Sequence, residues 1–178
     1  RYTVRETYLN PKSFSFRARQ RRFAHIRSMI ERIIETKGHC RIADIGGTEY
    51  YWEIGRDFIA QSNVEIHLLN LEEVPVEKPQ FRSAAADARD LGQFDDNSFD
   101  LVHSNSVIEH LGGWDGAASM AEQVRRLAPA YFVQTPHFWF PIEPHFRVPM
   151  FQFLPEQIRY RLLLNFALGF GGKRATVD

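Results

Sequence analysis

Asp44, Asn70, Asp87, Ser104 to Ser106 and Gln134 share one setting: each closes an apolar run or opens the polar loop after it. Carboxylates, amides and hydroxyls so placed exchange hydrogen bonds with the hydroxyl, amino or ammonium groups of a small molecule. Ile42-Ala43-Asp44-Ile45 runs straight into Gly46-Gly47. Glycine takes positive φ and leaves no Cβ between the main chain and a ligand. A helix beginning there offers unpaired N–H groups to a polar or anionic ligand group. The same residues also suit an ordinary strand and turn with a capping Asp. His110, His137 and His145, with Glu109 and Glu143 as partners, are the candidates for moving a proton near neutral pH. Glu109-His110 could equally tie down a helix entrance. Glu143-Pro144-His145 supplies two metal ligands, too few for a site, so no metal is expected.

The elements that must position these groups follow from periodicity. Residues 1–11 form an arm ending at Pro11. From Ser13 to about Lys37, Phe23, Ile26, Ile30, Ile33 and Ile34 recur at helical spacing, and Gly38 supplies the stop. Strands are predicted at about 40–45, 64–71, 81–86, 99–103 and 131–134, and helices at about 50–61, 115–127 and 155–168. Strands alternating with helices predict an α/β fold: a doubly wound, mainly parallel, Rossmann-like sheet with helices on both faces. Right-handed crossovers put every strand's C-terminal end on one edge, where open sheets of this kind bind ligands. The recurrence of polar strand ends therefore predicts one small-molecule site. Residues 137–153 are dense in aromatics and proline, including Phe138, Trp139 and Phe140. They could wall an apolar pocket, pack as core or dock on a partner.

Composition narrows the classes. The 178 residues carry 22 Lys plus Arg against 22 Asp plus Glu, so no net field argues for nucleic acid or a membrane surface. Arg17, Arg19, Arg21, Arg22, Arg27 and Arg32 crowd the first helix, read as a solvated or packing face. One cysteine, Cys40, rules out a disulfide framework. With no bilayer-length apolar run and no signal peptide, a cytoplasmic protein is expected. The sequence begins at Arg1 without methionine, so N-terminal residues are expected to be missing or processed. Residues 1–37 read as an arm and helix, and 38–178 as the ligand-binding part of a single domain.

The dinucleotide pattern Gly-x-Gly-x-x-Gly fails after Gly46-Gly47, and Asn70 stands where an acid is wanted. A Walker loop is absent. Taken in order, Ala43-Asp44-Ile45-Gly46-Gly47, Asp87-Ala88-Arg89-Asp90-Leu91, Asp96-Asn97-Ser98-Phe99-Asp100-Leu101-Val102 and Ser106-Val107-Ile108-Glu109-His110-Leu111 resemble the class I S-adenosylmethionine-dependent methyltransferases, in particular the type 11 group, over about residues 38–136. The resemblance implies that Asp44 orients the methionine ammonium of the cofactor, with Gly46 and Gly47 as the cradle. It implies Asn70 at the ribose, with Leu71 beside it among the cofactor-binding residues, Asp87 and Ala88 at the adenine, and Asn105 and Ser106 where methyl meets acceptor. S-adenosylhomocysteine would be the product and a small molecule the methyl acceptor. His137 is then the first choice of base, ahead of His110 and His145.

Two departures bear on this. Thr48 and Tyr50 replace the second and third glycines of the usual loop, and the family sheet has seven strands where five are found, so C-terminal strands are expected to be missing from the sequence. A cofactor-binding partner subunit without turnover is the alternative. A nucleic-acid methyltransferase is disfavoured by the neutral charge and by Ser104-Asn105-Ser106-Val107 in place of the Asn- or Asp-Pro-Pro-aromatic motif.

Overall fold

The computed structural model describes residues 14–137 and 150–166. The chain divides into two compact units, Arg1–Thr135 and Pro136–Asp178.

In the first unit, helix α1 (Phe14–Lys37) precedes strand β1 (Cys40–Ile45). A turn of helix α2 (Glu49–Trp52), a 3₁₀ turn (Glu53–Gly55) and helix α3 (Arg56–Gln61) lead to β2 (Val64–Asn70) and β3 (Phe81–Ala85). Strand β4 (Leu101–Asn105), a 3₁₀ turn (Ile108–His110), helix α4 (Trp114–Leu127) and β5 (Ala130–Gln134) complete it. The strands pair in parallel in the order β3-β2-β1-β4-β5. Chain direction along the sheet reverses between β1 and β4, which is where the doubly wound rule places a ligand crevice.

The predicted sheet is therefore present, with helices on both faces. One face buries Ile42, Ile66, Leu68 and Leu101 against Phe23, Ile26 and Ile30 of α1 and against Trp52 and Ile59. The other buries Ala43, Ile45, Leu69 and Val102 against Met120, Val124 and Leu127 of α4. Helix α1 ends where predicted: Gly38 takes φ +78 and its N–H donates to the Ile34 carbonyl at 2.7 Å, a left-handed cap.

The expected single helix over 50–61 is broken, and Gly55 shows why. A Cβ there would lie 1.9 Å from Phe23 Cζ, so glycine opens the space into which the α1 ring docks. The fourth strand starts later than Phe99 because that residue's N–H donates to Leu127 O at 3.1 Å, outside the ladder. In the second unit, the last helix is α5 (Glu156–Asn165), preceded by a 3₁₀ turn (Phe151–Phe153). The arm at 1–11, most of the aromatic stretch and the end of the predicted last helix lie outside the described residues.

Asp100 pins the start of β1 to the approach to β4. It accepts from Arg41 N–H at 2.8 Å and pairs with Lys37 Nζ at 2.5 Å, while its own N–H donates to Arg41 O. Burial works to raise this carboxyl, but the Arg41 N–H and the Lys37 ammonium outweigh it and hold it below its usual value. A depressed carboxyl stabilises the fold above its unfolded value near 4, and the contribution is lost as pH falls through the lower folded value. Asp100→Asn should therefore lower unfolding free energy by about 1–3 kcal/mol at neutral pH, with the deficit shrinking below about pH 4. Urea unfolding across that range checks it; a deficit independent of pH would show that the charge is irrelevant.

Candidate functional site

Asp44 is completely buried in β1, next to the turn. A carboxylate without solvent must be matched by donors, and two side chains supply them. Trp52 Nε1–H donates to Oδ2 at 2.7 Å, and His103 Nδ1 lies 2.6 Å from Oδ1. His103 faces Asp44 across the β1–β4 ladder and is itself 1% exposed. Its ring stacks on Phe132 of β5, with centroids 6.0 Å apart and planes within 7°, and lies 4.7 Å from Tyr51. Tyr51 and Trp52 were expected only as part of a helix, and His103 only as part of a strand. The signal for them was an imidazole inside an apolar run, one strand from a carboxylate.

Each glycine of the turn is required by something different. Gly46 has φ +72, and a Cβ on it would lie 2.3 Å from Val107 Cγ2 in the loop after β4. Gly47 lets the Asp44 carboxylate lie against its Cα, for a Cβ there would stand 1.8 Å from Oδ2. Thr48 is extended at φ −140, which any residue adopts, so losing the second glycine costs the backbone nothing at that position. Asn70 donates from Nδ2 to Gly47 O at 3.0 Å, tying the end of β2 to the turn. An acid in its place would face that carbonyl with no hydrogen to offer.

These residues line two cavities that share Gly46. The larger, ≈ 440 Å³, is bordered by Gly46, Asn70, Leu71, Asp87, Ala88 and His110. The smaller, ≈ 220 Å³, is bordered by Asp44, Gly46, Gly47, Tyr50, His103 and Asn105. Asp87 receives the Arg89 guanidinium on both oxygens, the shortest contact 2.6 Å, and the Arg89 N–H at 2.9 Å. These bonds hold its carboxyl down to about 2. Arg89, not singled out from sequence, is thus the group a ligand donor meets at Asp87. Ser106 borders neither cavity. It sits at φ +60, unusual for a non-glycine residue, with its N–H donating to Gln134 O at 2.8 Å. Of the candidate bases, His110 is on the larger cavity's wall, His137 is exposed in the second unit, and His145 lies outside the described residues. Glu109 accepts from Thr135 Oγ1 at 3.0 Å.

Gly47→Ala should drive the Asp44 carboxylate off Trp52 and His103, stranding a buried charge at a cost of about 3 kcal/mol or more. Gly38→Ala, where a Cβ meets nothing within 4 Å, should cost only the left-handed backbone term of about 1–2 kcal/mol. Equal losses of stability in urea unfolding would show that Gly47 does not depend on Asp44.

The family model described as the methyltransferase domain matches residues 38–132, more than half of the chain. No curated protein matches. Among solved structures, one described as a methyltransferase from an antibiotic biosynthesis pathway of Anabaena variabilis is 20% identical, with a TM-score of 0.44, over 76% of this chain and 59% of its own. The [4+2]-cyclase SpnF is 15% identical with a TM-score of 0.40, over 58% of this chain and 42% of its own. This chain thus spans less than two thirds of either neighbour's length. The family match covers all five strands up to Phe132 and both cavity-forming turns, and the chain belongs to the methyltransferase domain family, on the sheet of a class I S-adenosylmethionine-dependent methyltransferase.

Proposed function

We propose that the protein transfers a methyl group from S-adenosylmethionine to an oxygen or nitrogen of a small-molecule acceptor. The observation that carries this reading is the pair of cavities meeting at Gly46, one beside Asn70 and Asp87 and one beside Asp44. The group would supply an activated methyl on a sulfonium, so the chain's own work is positioning, desolvation and, for a hydroxyl acceptor, receiving a proton.

The residues present fit such a cofactor. With Asn70 Nδ2 engaged by Gly47, its Oδ1 is left to accept from a ribose hydroxyl. Leu71, 76% exposed at the cavity rim, offers an apolar surface to a ring. Asp87 offers carboxylate oxygens to an adenine amino group, in competition with Arg89, and Ala88 lines the ring's place. Asn105 ends β4 on the smaller cavity, with Ser106 following it into the loop. His137 is proposed as base because it comes three residues after the end of β5, next to Pro136. A small acceptor rather than nucleic acid is supported by the balance of 22 basic and 22 acidic residues.

Titration calorimetry with S-adenosylhomocysteine tests the cofactor assignment. Asp87→Ala should weaken binding by about 0.5–1.5 kcal/mol. Unchanged affinity would remove Asp87 from the site. For the base, His137→Ala should slow turnover by about 10²–10⁴-fold with cofactor affinity intact, and His137→Gln should be as slow. Normal turnover in both variants would pass the role to His110 or His145, or to no residue.

A further inference from the structure

Asp87 and Arg89 border the larger cavity together, and hydrogen bonds from Arg89 occupy the whole Asp87 carboxylate. Oδ1 accepts from the Arg89 backbone N–H at 2.9 Å and from Arg89 Nε at 3.0 Å. Oδ2 accepts from Nε at 3.2 Å and from Nη2 at 2.6 Å. An ionised carboxylate has about four lone-pair sites, so Asp87 has none left over. One residue fills them all, and the side chain alone makes three of these bonds.

A ligand whose base presents an amino group therefore meets no open acceptor at Asp87. To hydrogen-bond there it must turn the guanidinium off at least one oxygen. The exchange is nearly balanced. The Arg89 side chain is 54% exposed, and an ion pair so placed contributes little, while the bond gained goes to a neutral amino group. Ala86, Ala88 and Leu71 of the same wall are apolar, and they hold a ring without telling an amino group from a hydrogen.

We infer that Arg89 masks Asp87, so that the larger cavity takes purine nucleoside thioethers with little regard for the 6-amino group. Arg89 acts through Asp87 and needs no contact with the ligand. The inference rests on the cofactor reading above and adds a residue that sets how strictly the base is read. Removing the guanidinium opens the carboxylate to the amino group and sharpens that reading.

The test is calorimetry on the whole chain with two ligands. One is S-adenosylhomocysteine, and the other is its 6-deaminated analogue, with a hydrogen at C6 of the purine. The parent protein should bind the two within about tenfold of each other. Arg89→Ala should tighten S-adenosylhomocysteine by about two- to fivefold and leave the analogue unchanged, widening the ratio by that factor. In an Asp87→Ala background, Arg89→Ala should leave the ratio where it is, because no carboxylate remains to unmask. A purely structural role for Arg89 would move both ligands together. An Arg89→Ala variant that loses affinity for S-adenosylhomocysteine, or keeps the parent's ratio, overturns the inference while the cofactor reading stands. So does a parent that rejects the analogue by about a hundredfold or more, for its carboxylate is already open. If the parent binds neither ligand, the cofactor reading fails and the inference with it.

Discussion

A carboxylate sealed inside the central strand is the constraint on which the rest of this structure depends. Asp44 cannot be solvated, so the fold must bring donors to it, and each comes from a different distance in the chain. Trp52 arrives through the short helix after the glycine turn, and His103 through the neighbouring strand. Gly47 gives way to let the carboxylate lie flat. Replacing either donor with an apolar residue would leave a buried charge short of a partner, which costs far more than one ordinary hydrogen bond contributes. The group is thus a folding constraint and a site constraint at once. Satisfying Asp44 from below fixes what is left facing the cavity.

The glycine turn is wired from three sides. Gly46 N–H donates to Leu69 O at 2.8 Å, Val107 closes on the Gly46 Cα, and Asn70 holds the Gly47 carbonyl. This accounts for a loop that lacks two of its family's glycines and keeps a defined path. Rigidity comes from neighbouring strands, while Thr48 and Tyr50 need no special backbone. Preorganised polar groups at such a turn act on a ligand without first having to be ordered.

Much of the architecture was legible. Apolar runs separated by amphipathic segments place the five strands, and the polar residues ending them mark one edge of the sheet, where both cavities lie. The break at Gly55 was not legible, because its cause is Phe23 on another helix. Nor were the partners of Asp44. His103 is 59 residues away and reads locally as one more strand position, and Trp52 reads as helix core. Asn70 looked like a weakened acid until its amide hydrogen was seen on Gly47 O. Periodicity reports which face a residue occupies, and says nothing of the side chain it meets there.

The most direct test of the account is a crystal structure of the protein with S-adenosylhomocysteine. The ligand should span both sides of Gly46, with its adenosine beside Asn70 and Asp87 and its amino-acid tail in the smaller cavity, while Trp52 and His103 both remain on Asp44. A ligand lying elsewhere, or an Asp44 carboxylate that has left Trp52 or His103 to bind it, would contradict the account.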